Sequence, residues 1–162
     1  MLSKQLNLSY LSSGHIFRNI SHEKTKWGRY VKETLNAGYL ISDEKTVPII
    51  EEYLKKPHYQ KGYILDGFPR TAYQARTFSQ KLDKVFYIQV SDKEALWRLA
   101  YRNDVIREDD TIKAIRKRIE LFHKLTEPVV AYYKRKHILV EINGEKKIKE
   151  VNREILRHLP KT

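Results

Sequence analysis

The stretch Lys61–Ala75, KGYILDGFPRTAYQA, constrains the fold of this chain more than any other segment. Its apolar part, Gly62–Leu65, is a β-branched and aromatic run bounded by glycines, which predicts a buried parallel strand. Pro69 cannot donate a hydrogen bond to a sheet and fixes its own φ, so the chain turns here and enters a helix near Thr71. Arg70 is therefore expected at the carboxyl end of a strand, where open α/β sheets bind ligands. An ordinary turn with an incidental arginine would produce the same pattern.

Strand and helix patterns alternate along the sequence, which predicts one α/β domain over residues 1–162 with a doubly wound parallel sheet. The predicted strands are Ser9–Ser12, Gly62–Leu65, Lys84–Val90 and His137–Ile142. One predicted helix begins at His15, one covers Thr25–Asn36, and one is capped by Ser42 or Asp43 and carries Val47, Ile50 and Leu54. Further helices are predicted over Thr71–Lys81 and Lys146–Leu159, and two more follow Asp92 and Asp110. Pro48 and Pro128 each fall inside one of these helices. We expect the helix that contains Pro48 to begin late or to kink, and the helix that contains Pro128 to end or to kink there.

The charge balance is strongly basic, because 32 lysines and arginines against 20 acids give a formal net charge of +12. Such a chain either has an anionic partner or bears a large cost of charge repulsion, and nucleotides, nucleic acids and acidic membranes all qualify as partners. Cysteine is absent, which excludes disulfides and thiolate zinc sites and fits a reducing compartment. No apolar stretch approaches the ~20 residues of a membrane span. We therefore expect a cytoplasmic protein without a membrane partner.

Five arginines fall where turns and strand ends would bring them together, namely Arg18, Arg70, Arg98, Arg102 and Arg107, and Arg118 is a sixth candidate. Each guanidinium is a planar fork that matches phosphate oxygens, and phosphoryl transfer depends on positioning and on neutralising charge. Any single arginine in so basic a chain is explained as simply by a solvated surface charge. For Arg70 and the Arg98/Arg102 pair, the pattern favours a functional role. Asp66 either holds a hydrated magnesium ion through water or caps the turn.

Several ordered motifs resemble the adenylate kinase family and together cover nearly the whole chain. DGFPRT with its following glutamine is one, and YLSSGHIFR is similar to the family's strand followed by S-T-G-D-x-x-R. AGYLISDE resembles G-x-L-V-x-D-E, and the remaining matches are RLAYRND with REDD, IRKRI with TEPV and YY, and INGEK. Ordered motifs over this length are far more specific than a lone glycine pattern. The resemblance implies a three-layer, P-loop-kinase-like fold in which helices flank a parallel sheet.

The same resemblance implies a phosphotransferase that converts ATP and AMP into two ADP, with Mg²⁺ accompanying ATP and without zinc. It implies a nucleoside-monophosphate-binding segment at about residues 13–42. Together with the DGFPRT turn, this segment supplies the implied AMP site, which consists of Ser13, Gly14, Arg18, Tyr39, Leu40, Ile41, Gly67, Phe68, Pro69, Arg70 and Gln74. In this resemblance, Gln74 after a turn with Thr71 favours adenine, because relatives that prefer pyrimidine monophosphates tend to carry asparagine at the Thr71 position.

Phosphoryl transfer is assigned by the resemblance to Arg70, Arg98, Arg102, Arg107 and Arg118, and the ATP site to Arg98, Arg102 and Lys146. Asp66 would hold Mg²⁺ indirectly, through water. The short spacing between Arg102 and Arg107 implies a short lid at about residues 102–108. AMP, ATP and ADP are the expected partners, nucleic acid is not, and the protein is expected to be a monomer.

One part of the family pattern is missing. The sequence contains no G-x-x-x-x-G-K-[ST] loop, whose amides and lysine cradle ATP phosphates. The family's first strand, central in the sheet between Gly62–Leu65 and Lys84–Val90, is expected to be absent too, and each backbone group left buried without a partner costs about 1 to 3 kcal/mol. We therefore predict an N-terminally truncated enzyme with impaired ATP binding. The alternatives are a complete chain whose gap another strand or partner fills, a non-catalytic AMP-binding protein, and an RNA-associated basic protein.

Overall fold

The computed structural model describes residues 1–101 and 111–160 and has an α/β fold in which helices flank parallel strands. The strands are β1 (Ser9–Ser12), β2 (Tyr63–Asp66), β3 (Val85–Gln89) and β4 (Leu139–Asn143). The α-helices are α1 (Leu2–Leu6), α2 (Ser13–Ser21), α3 (Lys26–Asn36), α4 (Asp43–Leu54), α5 (Ala72–Thr77), α6 (Asp92–Ala100), α7 (Ile112–Leu121), α8 (Glu127–Arg135) and α9 (Ile148–Arg157). A 3₁₀ turn covers Pro57–Tyr59, and a π-helix covers Phe122–Thr126. The four predicted strands are confirmed, with ends that shift by at most two residues.

The strands form two separate parallel pairs. β1 pairs with β2 so that Ser12 lies opposite Asp66. β3 pairs with β4, from Val85 opposite Leu139 onward. Within residues 1–101 and 111–160 no strand joins β2 to β3, so the predicted sheet is divided at this point. Because both pairs are parallel, each gathers the residues that follow its strands at one edge.

Hydroxyl side chains cap several of the helices. Thr25, Ser91 and Thr111 each accept a hydrogen bond from the backbone amide three residues later. Such a cap satisfies one of the amides that the N-terminus of a helix leaves without a partner. Ser12 and Thr71 do the same for α2 and α5, which carry residues of the predicted site. Among the described helices, none has the length and apolar character needed to cross a bilayer.

The two prolines are accommodated differently from the prediction. Pro48 lies inside α4, which begins early, at Asp43, rather than late. Pro128 does not end its helical segment, because it occupies the first turn of α8, where proline is tolerated. The irregularity comes before it, as the π-helix between α7 and α8. A π turn opens the backbone locally, which makes room for a proline ring that would otherwise collide with the preceding turn.

α5 is shorter than predicted, because the helix expected over Thr71–Lys81 ends at Thr77. Phe78 leaves the helix with φ −63° and ψ 117°. Its side chain is buried and meets the ring of Phe68 edge to face, with 5.1 Å between the ring centroids. Burial of an aromatic ring outweighs the weak preference of the following residues for a helix, so tertiary packing ends α5 early.

The main core lies between the β1–β2 pair and helices α2 and α4. Its buried residues are Leu11, Ile16, Val47, Ile50, Leu54, Tyr59, Phe68 and Phe78. A second cluster of Phe17, Val31 and Ile41 joins α2 to α3, and a third of Ala75, Val129 and Tyr133 joins α5 to α8. The segments that follow β1 and β2 are therefore held from several sides.

His123, in the π-helix, bridges the first residues of two helices. Its Nδ1 lies 2.6 Å from Glu127 Oε1, and its Nε2 lies 2.9 Å from Asp92 Oδ1. The hydrogen bonds to Glu127 and to Asp92 raise the pKa of His123 above its ordinary value of 6.5, and the bond to Glu127 has the larger effect. All three side chains are exposed, so solvent screens the bridge and its contribution is modest.

We predict that this bridge makes stability depend on pH. Because the folded-state pKa is raised, the protonated histidine stabilises the fold fully below its ordinary pKa, and this contribution is lost as the pH rises through the raised value. The melting temperature of His123→Ala should therefore lie below that of wild type near about pH 5.5 and approach it near about pH 9. His22→Ala, at an exposed position that follows α2, is the control. An equal difference at both pH values would contradict the prediction.

Candidate active site

The turn after β2 is built around Gly67. This residue has a φ of +74°, a left-handed conformation that glycine adopts without steric cost. Its carbonyl oxygen accepts hydrogen bonds from Ser13 Oγ at 2.8 Å and from Arg70 Nε at 2.7 Å. The parallel pairing of β1 with β2 brings Ser13 to this turn. One backbone carbonyl therefore fastens the start of α2 and the Arg70 side chain to the same point.

Arg70 lies in a group of positive charges. Burial of its guanidinium is the largest influence on its pKa and lowers it below the ordinary value. Asp66 opposes this shift, whereas Arg118 and Arg18 add to it. The three arginines and Asp66 thus share one electrostatic environment, although they come from α2, α7 and the β2–α5 turn. Their excess of positive charge is suited to a ligand that carries several negative charges.

Gln74, in α5, is buried beside this group, with 2% of its surface exposed. Its Oε1 accepts a hydrogen bond from the Arg70 backbone amide at 2.7 Å, and its Nε2 donates to Asp43 Oδ1 at 2.8 Å. Thr71 caps α5 and donates its hydroxyl proton to Asp43 Oδ2 at 2.8 Å. The amide of Gln74 is therefore held from two sides, by the backbone of the turn and by the first residue of α4.

Asp66 ends β2 and is exposed. One of its carboxylate oxygens accepts a hydrogen bond from the Tyr10 hydroxyl at 2.6 Å. Partial burial of Tyr10, which is the larger cause, and this hydrogen bond, which is the next, raise the pKa of Tyr10 to about 12. The described part of the chain contains no cluster of three acidic or histidine side chains that could hold a metal ion. Mg²⁺ is commonly held by one or two carboxylates, water and substrate phosphates. A single exposed carboxylate beside the arginines fits such an indirect site.

The other predicted AMP-site residues differ in their exposure. Tyr39 is 51% exposed, and the Lys117 ammonium lies 5.1 Å from its ring centroid. Ile41 and Phe68 are buried in the apolar clusters, so their side chains pack beneath the site. Leu40, Pro69 and Gly14 are partly buried.

Arg98 and Lys146 lie in the β3–β4 half. Arg98 Nε donates to Glu94 Oε1 at 2.6 Å, and its Nη1 donates to the Gly144 carbonyl at 2.8 Å. Lys146 pairs with Glu154 at 2.8 Å. Both cations are thus held near the turn that follows β4. Arg102, Arg107 and the predicted lid at residues 102–108 lie outside the described residues.

Two residues outside the predicted site, Asp43 and Thr126, hold it together. The sequence predicts a helix start at Asp43 and includes it in the AGYLISDE motif, and Thr126 belongs to the TEPV motif, but neither has a predicted role in the site. The Thr126 hydroxyl donates to the Arg70 carbonyl oxygen at 2.9 Å, which ties the π-helix to the turn. Both residues contact partners that are distant in sequence, so no local spacing predicts these contacts.

Comparison with known proteins decides the family. The sequence model of the adenylate kinase family matches residues 1–138. The chain belongs to the adenylate kinase family. The resemblance seen in the ordered motifs is thereby confirmed, and the chain is assigned to a family of nucleoside monophosphate kinases. Members of this family generally use Mg²⁺ with ATP.

Three relatives show how far the similarity extends. An adenylate kinase from Caldicellulosiruptor bescii is 32% identical over an alignment of 193 positions, which spans 98% of this chain and 90% of the relative. Adenylate kinase 4 from Oryza sativa subsp. japonica is 35% identical over 187, covering 94% of this chain and 77% of the relative. The enzyme from Azobacteroides pseudotrichonymphae is 34% identical over 167, covering 98% and 87%. The family similarity therefore includes both strand pairs.

We predict that Gly67→Ala disrupts the turn. A Cβ here would lie 2.8 Å from Ser13 Oγ and 2.9 Å from Arg70 Nη2, and the positive φ strains any residue with a side chain. The free energy of unfolding should fall by about 1 to 3 kcal/mol in denaturant titrations. Gly14→Ala is the matched control, because a Cβ there would approach the flexible end of Arg18 at 3.2 Å within a helix. Equal stability of the two variants would overturn this account of the turn.

Proposed function

We propose that this protein is an adenylate kinase-type phosphotransferase that converts ATP and AMP into two ADP and serves nucleotide homeostasis. The observation that supports this most directly is that Arg18 and Arg118 act electrostatically on Arg70, whose backbone amide is hydrogen-bonded to Gln74. Clustered guanidinium groups suit a phosphate, and a buried amide beside them suits the polar edge of a base. Family membership supports the same chemistry.

AMP occupies the turn after β2 in this proposal. Its phosphate is bound by Arg18 and Arg70, close to Ser13 and Gly14 at the N-terminus of α2, where the helix dipole favours an anion. Its base lies against Gln74 and the segment Tyr39–Ile41, of which Tyr39 presents an exposed ring. Residues 13–42 then form the nucleoside-monophosphate-binding segment, because α2, α3 and the residues before α4 share one apolar cluster.

ATP and its Mg²⁺ complete the proposed reaction. Arginines neutralise the phosphoryl group in transit, and the proposed set is Arg70, Arg98, Arg102, Arg107 and Arg118. Lys146 lies near the ATP base, and Asp66 holds Mg²⁺ through water. A bound Mg²⁺ would offset the charge of the ATP phosphates. A short lid at residues 102–108 would exclude water during transfer.

The ATP half has weaker support. Residues 1–162 contain no G-x-x-x-x-G-K-[ST] loop, and such a loop supplies backbone amides and a lysine to ATP phosphates. We propose that these 162 residues by themselves bind AMP well and ATP weakly, with impaired turnover. The same observation favours a second candidate function, in which the protein binds AMP without turning it over.

The AMP site can be tested by binding alone. Arg70→Lys should weaken AMP binding about 10- to 100-fold in calorimetric titrations, because lysine cannot reproduce the planar fork or its hydrogen bond to Gly67. Arg76→Lys changes an exposed arginine of α5 in the same way and should leave the affinity unchanged. AMP affinities that agree between wild type and Arg70→Lys would refute the proposed role of Arg70.

The ATP half can be tested with two forms of the protein. One form has residues 1–162, and the other carries a G-x-x-x-x-G-K-[ST] loop ahead of residue 1. The shorter form should bind AMP, show little binding of a non-hydrolysable ATP analogue, and turn over far more slowly in a coupled assay. Equal rates would contradict the proposal that ATP binding is impaired. Absence of turnover in both forms, with AMP bound, would favour the non-catalytic function.

A further inference from the structure

Asp43, the first residue of α4, accepts a hydrogen bond from the side-chain amide of Gln74 and is not one of the charged groups around Arg70. We infer that Asp43 is a positioning residue that fixes the orientation of the Gln74 amide and thereby sets the preference for adenine. This inference rests on the proposed function, in which Gln74 contacts the base of AMP. Asp43 acts through Gln74 and is not itself assigned to the nucleotide.

The hydrogen bonds around the Gln74 amide accept only one orientation. Asp43 Oδ1 is an acceptor and faces Nε2 at 2.8 Å, whereas the Arg70 backbone amide is a donor and faces Oε1 at 2.7 Å. Rotation of the amide by half a turn would set its oxygen against a carboxylate and its NH₂ group against an N–H. Both hydrogen bonds would then be lost, and an acceptor would face an acceptor while a donor faced a donor.

Asp43 is itself held in place. Its Oδ2 accepts the hydroxyl of Thr71, and Thr71 also accepts from the backbone amide of Gln74 at 3.1 Å. The carboxylate therefore spans the start of α5, with one oxygen on the helix cap and the other on the glutamine. A group fixed at both oxygens can impose an orientation on its partner, which a mobile surface carboxylate cannot.

The fixed amide still has hydrogen-bonding capacity for a ligand. An amide oxygen accepts two hydrogen bonds and an amide nitrogen donates two, and the contacts above use one of each. The remaining acceptor and donor match adenine, whose edge offers an N6 amino donor beside the N1 acceptor. Hypoxanthine offers the reverse pattern, an O6 acceptor beside an N1–H donor. Against a fixed amide, its acceptor would face the amide oxygen and its donor would face the amide N–H. Polar sites of this kind discriminate strongly between such analogues.

The test compares the binding of three ligands to four proteins by calorimetry. The ligands are AMP, IMP and ribose 5-phosphate, which lacks a base, and the proteins are wild type, Asp43→Ala, Asp43→Asn and Glu44→Ala. Glu44 is the matched control, because it is the next acid of the same helix turn and is exposed. Thermal unfolding of each variant establishes that it is folded. Should Asp43→Ala fail to fold, Asp43→Asn carries the test, because it keeps the size of the side chain.

We expect wild type and Glu44→Ala to prefer AMP over IMP to the same degree. Asp43→Ala should reduce that ratio about tenfold, since the amide is then free to present either orientation. Asp43→Asn should reduce it by a smaller factor, because asparagine can face Gln74 with an oxygen or with an N–H. Affinity for ribose 5-phosphate should stay unchanged, which a merely structural defect near the turn would not allow.

Three results would overturn the inference in distinguishable ways. An unchanged ratio of AMP to IMP affinity in folded Asp43→Ala or Asp43→Asn would refute the role of Asp43 and leave the proposed function intact. A wild-type protein that binds neither AMP nor ribose 5-phosphate would refute the proposed function, and the inference with it. A parallel loss of affinity for all three ligands would show that Asp43 supports the turn without orienting the amide.

Discussion

The hydrogen bonds that pair β1 with β2 in parallel place the start of α2 beside the turn that follows β2. The Gly67 carbonyl then fastens Ser13 and Arg70 to one point, and the core beneath fixes α2 and α4 against the same strands. Asp43 and Gln74 are positioned by that packing before any ligand arrives. Groups held in advance lose little conformational freedom on binding, so more of the interaction energy appears as affinity.

Residue patterns predict the framework of this site well. A short apolar run followed by glycine and proline predicts both β2 and its turn. Arg18 and Arg70 are recognisable because each follows closely on a predicted strand, and both act with Arg118 in one electrostatic environment. This works because parallel strands deliver the residues that follow them to one edge of a sheet.

Contacts between distant side chains could not be predicted in this way. An acid at the start of a helix is stabilising whatever else it touches, so the position of Asp43 gives no sign of its hydrogen bond to Gln74, 31 residues further along the chain. The early end of α5 likewise depends on the packing of Phe78 against Phe68, and the π-helix depends on the packing on both sides of it. Local preferences are too weak to decide such cases.

The π-helix between α7 and α8 also determines which parts of the structure these two helices pack against. Ile115 and Tyr133 are both buried and lie about five turns apart at 3.6 residues per turn, so an unbroken α-helix would direct them to the same side. The additional residue in a π turn rotates the downstream helix, α8, by about 100°. Tyr133 thereby joins the cluster around Ala75, while α7 approaches Gly38 so closely that a Cβ there would lie 2.4 Å from the Ala114 carbonyl oxygen. A variant therefore has to preserve the length of residues 122–126 as well as the side-chain contacts of His123 and Thr126.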